Sequence, residues 1–151
     1  SNMFNIVKNH NVPYIIMHMK GRPKNMQKNI NYQDFKYDVL SFFEKKINQI
    51  TLLGHNQLIL DPGFGFGKTL RHNYQLVNMI PEIKKFGFPV LVGVSRKSMI
   101  STLLNTNAKT SLNGTSILNT ICINNGANII RVHDVKEAKE VIKIISTIRN
   151  N

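Results

Sequence analysis

The chain has 151 residues, which suits one compact domain, and we treat residues 1–151 as a single unit. Its formal charge is +12, with 20 Lys and Arg against 8 Asp and Glu, but the lysines are scattered among many Asn and Ile. Scattered charge favours compositional drift over a nucleic-acid interface, and the sequence has no RRM-type aromatic motif, zinc-finger spacing or basic helix followed by heptads.

Cysteine usage and the lengths of the apolar runs bear on where in the cell the protein is located. Cys122 is the single cysteine, so no internal disulfide and no thiolate metal cluster can form, which suits a reducing compartment. No apolar run reaches the roughly 18 residues of a membrane span, and the N-terminus lacks the layout of a signal peptide. We therefore expect a cytoplasmic protein. The opening Ser1-Asn2-Met3 is compatible with a cloning remnant and carries no weight.

The predicted elements alternate along the chain between short apolar runs and amphipathic stretches. The runs are rich in β-branched residues and continuous rather than alternating, as expected of parallel strands buried on both faces. In chain order we predict strands at 13–17, 57–60, 89–93 and 128–132, each followed by a helix, at 32–51, 70–80, 111–124 and 135–149. The irregular segment 20–32, with Gly21, Pro23 and several Asn, is a candidate mobile loop.

Four successive strand–helix units predict right-handed parallel βα connections. An open doubly wound sheet and a (β/α)8 barrel both fit this pattern. A full barrel needs about eight units and ~250 residues. If the fold is a barrel, this chain therefore holds about half of one.

Polar and charged residues gather directly after each predicted strand. They form four short segments, at 17–21, 61–68, 95–98 and 131–134. Barrels and open α/β sheets both place their sites at the carboxyl ends of parallel strands. We therefore expect the four segments to build one site on one face.

The glycine-rich segment after the second strand is not one of the common phosphate loops. A Walker loop requires Gly where Pro62 stands, and a dinucleotide fingerprint requires Gly where Lys68 stands. What remains is Asp61 at a strand end, with Phe64 and Phe66 between glycines. An acid beside aromatic walls suits a flat, hydrogen-bonding heterocycle such as a pterin. The alternative is that Asp61 only caps the next turn.

Two further segments could bind anions. Ser95-Arg96-Lys97-Ser98 is either an ordinary helix start or an anion receptor at a helix N-terminus. Arg131 and His133 alternate along an extended segment, so they would face the same side and grip one diphosphate together. A purely structural role for His133 is the alternative.

These segments together resemble bacterial dihydropteroate synthases, in that family's order and at its spacing, from about residue 13 to the C-terminus. The matching motifs are Met17-His18-Met19-x-Gly21-x-Pro23-x-x-Met26-Gln27, Leu60-Asp61-Pro62-Gly63-Phe64-Gly65-Phe66-Gly67-Lys68, Gly93-x-Ser95-Arg96-Lys97-Ser98 and Ile130-Arg131-Val132-His133-Asp134-Val135. The resemblance implies a TIM barrel, with this chain supplying the fifth to eighth βα units. It also implies a transferase that joins a pterin diphosphate to p-aminobenzoate in folate biosynthesis and releases diphosphate.

The resemblance also implies roles for individual residues. Asp61 would bind the pterin's amino and ring N–H edge, and Lys97 would contact the ring and stabilise a cationic intermediate. Arg131 and His133 would hold the diphosphate, so these four residues are the candidate catalytic set. The remaining candidates would line the pterin slot (Met17, Phe64 and Gly93) or the p-aminobenzoate pocket, which is also the sulfonamide pocket (Phe66, Ser95 and Arg96).

Other implications concern parts that the chain lacks. The family's N-terminal half brings mobile loops, further pterin ligands and the Asn associated with Mg²⁺, so Mg²⁺ is an expected cofactor without a ligand in this chain. The bulky Ile117-Leu118-Asn119 departs from the family's small residues in a helix near its dimer interface. We expect a homodimer or pairing with the missing half, because a half barrel exposes apolar strand edges.

Two other functions remain open from the sequence. One is a non-catalytic basic module on a half barrel that binds anions or nucleic acid. The other is a related pterin-binding barrel such as a methyltransferase domain. The segments 95–98 and 131–134 argue against the methyltransferase, which has no departing diphosphate to hold.

Overall fold

A computed structural model describes residues 2–21, 24, 26 and 30–150. Within these residues the strands are β1 (Tyr14–Met17), β2 (Leu58–Asp61), β3 (Leu91–Val92) and β4 (Ile129–Ile130). The helices are α1 (Asn2–His10), α2 (Phe35–Thr51), α3 (Leu70–Lys84), α4 (Ser98–Leu104), α5 (Leu112–Asn124) and α6 (Val135–Arg149). The segment predicted to be a mobile loop includes residues 22, 23, 25 and 27–29, which lie outside the described residues.

The strands are parallel and lie side by side in chain order. β1 pairs with β2 from Tyr14 opposite Leu58 onwards, and β3 pairs with β4. A parallel bridge between Leu60 and Val90 joins the two pairs. A doubly wound sheet would reverse its strand order, whereas sequential parallel strands are the arrangement of a barrel wall. The predicted parallel βα units are confirmed, and of the two architectures the barrel is the one that fits.

Burial differs between the inner and outer strands. Leu60, Val90 and Val92 are fully buried, as predicted, whereas the side chains of Ile15 and Ile129 are 46% and 37% exposed. The prediction that all four strands are buried on both faces is therefore wrong for β1 and β4. Each of these outer strands has one neighbouring strand among the described residues, so one edge is left open.

The start of α2 and the end of α3 differ from prediction, and two helices are additional. Helix α2 begins at Phe35 rather than at residue 32, because Asp34 caps it by accepting the backbone N–H of Tyr37 at 3.0 Å. Helices α1 and α4 were not predicted. Helix α3 continues through Pro81 to Lys84 instead of ending at residue 80.

The continuation through Pro81 has a clear physical reason. Proline has no N–H to donate to the carbonyl four residues earlier, which is that of Val77. In the structure the side-chain amide of Asn125 donates to the Val77 oxygen at 2.8 Å. A residue at the end of α5 thus supplies the hydrogen bond that α3 cannot make.

One hydrophobic core lies between the strands and the helices from α1 to α5. It includes Cys122, which is fully buried, as expected for a lone cysteine in an apolar stretch. Burial raises the pKa of Cys122 to about 12, so the thiol stays protonated at neutral pH. Helix α6 packs against α5 on the outside.

Among the described residues, no helix has the length and apolarity needed to cross a membrane.

Candidate functional site

The sequence predicted one site at the carboxyl ends of all four strands, and the structure brings together the ends of β2, β3 and β4, whereas His18, Met19 and Lys20 after β1 line a separate pocket. Asp61 ends β2 and is only 5% exposed. One of its carboxylate oxygens accepts the N–H of Gly63 at 2.8 Å, so Asp61 caps the following turn while standing at the site. Burial raises the pKa of Asp61, and the Gly63 N–H and the charges of Lys97, Arg131 and Lys68 act in the opposite direction.

The glycine-rich loop lies tightly against the end of β1. Gly63 has φ +70°, and a Cβ at this position would overlap the carbonyl oxygen of His18. The same Cβ would meet the Met17 side chain at 3.3 Å, which places Met17 directly beside the loop. The N–H of Gly65 donates to the side chain of Asn73 in α3 at 2.6 Å. These contacts fix the path of the loop between β1 and α3.

The two phenylalanines of this loop take different positions. Phe64 lies in the core with its ring fully buried, so its backbone carbonyl, which accepts a hydrogen bond from Lys97, is the part that reaches the site. Phe66 is half-buried, and the Lys97 ammonium lies 4.9 Å from its ring centre. Phe66 therefore offers an aromatic surface beside a cation.

Lys97 is the N-cap residue of α4 and the link between the loops after β2 and β3. Burial lowers the pKa of Lys97 to about 8, the carboxylate of Asp61 raises it and Arg131 lowers it. The amine is thus still mostly protonated at neutral pH. Lys97 therefore places a positive charge close to the Asp61 carboxylate.

An open pocket of about 410 Å³ lies over these strand ends. Its lining includes five of the six predicted polar residues, Asp61 being the exception: Ser95, Arg96, Lys97, Arg131 and His133, together with Gly93 and Val132. The Arg131 guanidinium lies against Gly93, where a Cβ would be 3.1 Å from it. The absence of a side chain at Gly93 thus lets the Arg131 guanidinium lie close to the backbone.

Ser95 and Arg96 join the loop after β3 to the loop after β4. The Ser95 side chain is buried, lies 3.0 Å from Nδ1 of His133 and accepts the backbone N–H of His133 at 3.1 Å. Arg96 has a left-handed backbone (φ +54°) and donates two hydrogen bonds to Asp134, at 2.9 and 2.7 Å. A third guanidinium nitrogen donates to the carbonyls of Ala108 and Lys109. The Ser95 hydroxyl and the Arg96 guanidinium thus bind other groups of the protein. Contacts of these two residues with p-aminobenzoate stay a prediction.

Lys68 ends the glycine-rich motif, and the sequence analysis predicted no role for it. Its ammonium is buried and donates to the carbonyls of Gly63, Phe66 and His18 at 2.9, 3.0 and 3.2 Å. Burial lowers the pKa of Lys68 to about 7, while the Asp61 carboxylate opposes this shift. A lysine closing a glycine run directly after a strand was the available signal.

Comparison with known proteins places this geometry in a family. Residues 1–133 match the family model described as pterin binding enzyme. The dihydropteroate synthase of Escherichia coli strain K12 is 44% identical over 136 residues, which are 89% of this chain and 48% of that protein. The bifunctional dihydropteroate synthase/dihydropteroate reductase of Helicobacter pylori is 34% identical over 97% of this chain and 38% of its own length. The chain spans about half the length of the curated relatives it matches.

Solved structures agree with the sequence relatives. A Yersinia pestis dihydropteroate synthase in a sulfonamide drug complex superposes with TM-score 0.94 at 42% identity, covering 99% of this chain and 56% of that one. A Xanthomonas albilineans dihydropteroate synthase with 4-aminobenzoic acid gives TM-score 0.87 at 30% identity, covering 97% and 52%. The fold is thus that of about half of the TIM barrel of these enzymes. This chain belongs to the pterin-binding enzyme family.

Proposed function

We propose that this chain forms the C-terminal, substrate-binding half of a dihydropteroate synthase. That enzyme condenses 6-hydroxymethyl-7,8-dihydropterin diphosphate with p-aminobenzoate and releases diphosphate. The observation that carries the proposal is the convergence of Asp61, Lys97, Arg131 and His133 at adjacent strand ends. The similarity to dihydropteroate synthases over nearly the whole chain supports it.

The chemistry of the reaction suits these groups. The pterin CH2–O bond breaks and its electron pair leaves with diphosphate, while the amine lone pair of p-aminobenzoate forms the new C–N bond and the amine loses a proton. Arg131 and His133 would stabilise the negative charge that develops on the leaving group, and Lys97 would contact the pterin ring. The buried Asp61 would accept hydrogen bonds from the pterin's amino and ring N–H groups. No nucleophilic side chain is required.

Phe66, Lys97 and Arg96 would together form the p-aminobenzoate subsite. Phe66 is half-buried beside Lys97, and this arrangement supports an aromatic substrate with an anionic substituent. Arg96 would shape the pocket through its hydrogen bonds to Asp134 and to the loop that carries Ala108. Met17 and Gly93 would border the pterin.

Mg²⁺ is the proposed cofactor of the complete enzyme, and its protein ligand is expected outside this chain. Among the described residues, no three His, Cys, Asp or Glu side chains converge as a metal site. We therefore assign no step to a metal held by this chain. The cytoplasm is the proposed location.

A partner is also part of the proposal, either a second copy or an N-terminal barrel half. The open edges of β1 and β4 support it. So do the exposed isoleucines of the outer helices, which are Ile117 and Ile121 in α5 and Ile142, Ile144 and Ile148 in α6. Apolar surface of this kind is stabilised when it is covered.

Diphosphate release from a mixture of the pterin diphosphate, p-aminobenzoate and Mg²⁺ tests the proposal. We expect release by the chain alone or after addition of a separately produced N-terminal half, and its loss in Lys97→Ala. Lys36→Ala is the matched control, because Lys36 lies on the surface in an ion pair with Glu82. If neither preparation releases diphosphate, the non-catalytic anion-binding function becomes the better interpretation.

A further inference from the structure

The Ser95 hydroxyl makes two hydrogen bonds to the same residue, His133. Its oxygen accepts the backbone N–H of His133 at 3.1 Å and lies 3.0 Å from the ring nitrogen Nδ1. Ser95 is only 4% exposed, although it borders the open pocket. Buried polar groups are mostly satisfied within the protein, and His133 supplies both partners of this hydroxyl among the described residues.

Counting donors and acceptors decides which ring nitrogen carries the proton. A serine hydroxyl has one hydrogen to donate and two lone pairs to accept. If Nδ1 were protonated, the oxygen would accept twice and its own hydrogen would have no acceptor among the residues that the structure describes. If the hydroxyl donates to Nδ1, every group is satisfied. The second arrangement is favoured, because an unsatisfied buried donor is costly.

This arrangement has a consequence on the other side of the ring. When Nδ1 of a neutral histidine accepts a hydrogen bond, Nε2 carries the hydrogen. Nε2 lies on the ring edge away from Ser95, and His133 is an exposed residue of the same pocket as Arg131. The pocket thus gains a neutral N–H donor next to a guanidinium.

We propose that Ser95 is a positioning residue that holds His133 as the Nε2–H tautomer, ready to donate to an anionic oxygen of the diphosphate. This inference rests on the proposed function and deepens it. Ser95 acts through His133 and need not touch the substrate. The two residues are 38 positions apart, so the hydroxyl also aligns the β4 loop with the β3 loop.

The tautomer can be measured directly by ¹⁵N NMR of the ligand-free chain, with the His133 signals assigned by their loss in His133→Gln. We expect an unprotonated Nδ1 and a protonated Nε2 in the wild type. Ser95→Ala should give a mixed or reversed tautomer, and Ser95→Thr, which keeps the hydroxyl, should restore the original one. A protonated Nδ1 in the neutral wild-type ring would overturn the proposal, as would an unchanged tautomer in Ser95→Ala. If a variant fails to fold, the wild-type spectrum can still overturn the proposal, because it shows directly whether Nδ1 is protonated.

Calorimetric titration with inorganic pyrophosphate tests the link to the ligand. We expect Ser95→Ala to bind it roughly three- to tenfold more weakly than the wild type, with recovery in Ser95→Thr. Equal binding in Ser95→Ala, together with a changed tautomer, would refute the role of the tautomer in diphosphate recognition. If the wild type does not bind pyrophosphate at all, the diphosphate site of the proposed function fails, and the NMR result still decides whether Ser95 sets the tautomer.

Discussion

At the scale of single residues, Lys68 uses a buried ammonium to hold a loop together. Its three carbonyl partners belong to Gly63, Phe66 and His18, so one side chain connects the glycine-rich loop to the end of β1. An ammonium has three donors and no acceptor, which matches three carbonyl oxygens. Asp61 directly precedes this loop, so the position of its carboxylate depends on the same contacts.

Below its pKa of about 7 Lys68 is charged, and there we expect Lys68→Met to lower the free energy of unfolding by roughly 2 to 4 kcal/mol, because three carbonyl groups lose a charged donor while the aliphatic stem is kept. Urea denaturation measures this change. Lys36→Met is the matched control and should cost less than about 1 kcal/mol, since it removes only an exposed ion pair with Glu82. Similar losses in the two variants would show that Lys68 does not hold the loop.

Lys97 should titrate well below an ordinary lysine. NMR titration of its side chain should give a midpoint near pH 8. Asp61→Asn should lower the midpoint further, because the Asp61 carboxylate favours the charged amine. A midpoint near the ordinary lysine value of 10.5 would contradict the burial seen for this side chain.

The same shift makes stability depend on pH in a defined direction. Between about pH 8 and 10.5 the unfolded chain keeps the Lys97 proton that the folded chain releases. The Lys97 contribution to the free energy of unfolding therefore rises with pH across this window. Comparison of the wild type with Lys97→Met at both ends of the window should show a larger rise in the wild type, because the lowered pKa of Lys68 contributes a rise to both proteins.

At the scale of elements, helix α3 depends on a neighbour for its continuity. Pro81 leaves the Val77 carbonyl without its backbone donor, and Asn125 at the end of α5 replaces that donor. The two helices are thus joined at the point where α3 is weakest. A sequence pattern read within α3 alone places the helix end at the proline.

A double-mutant cycle tests this contact. We expect Asn125→Ala to cost about 1 to 2 kcal/mol in the wild type, because the Val77 carbonyl loses its partner. In a Pro81→Ala background the cost should be smaller, since the introduced alanine supplies the missing backbone N–H to the same carbonyl. Thermal or urea unfolding of the four proteins gives the coupling. Equal costs in the two backgrounds would mean that Asn125 does not compensate for the proline.

At the scale of the whole molecule, the outer strands and outer helices leave apolar surface uncovered. Strand β1 exposes Ile15 and β4 exposes Ile129, each at an open sheet edge. Exposed edges pair readily with other strands. The proposed partner would cover these edges or the exposed isoleucines of α5 and α6.

Self-pairing or pairing with an N-terminal half should make stability depend on the partner's concentration. We expect the midpoint of thermal unfolding to rise with protein concentration, or on addition of the N-terminal half. Analytical ultracentrifugation under the same conditions should show the complex. A sharp, concentration-independent transition from a strictly monomeric species, unchanged by the N-terminal half, would exclude both forms of pairing.

The sequence by itself determined the parallel βα units and the positions of the polar residues at strand ends. Apolar runs, helical spacing and glycine or charged clusters are local patterns, so they can be read without knowing the fold. These patterns were sufficient to indicate Asp61, Lys97, Arg131 and His133 as candidate site residues. The spacing of the motifs supported the family resemblance.

Tertiary structure alone decided the sequential strand order, the open edges and the partners of the polar groups. The bonds of Ser95 to His133, of Arg96 to Asp134 and of Asn125 to Val77 join residues 38 to 48 positions apart. No local pattern specifies such pairs, because each depends on how two separately formed elements pack. The use of Lys68 as a loop clamp follows from the same packing, since its carbonyl partners meet only when β1 and β2 lie side by side.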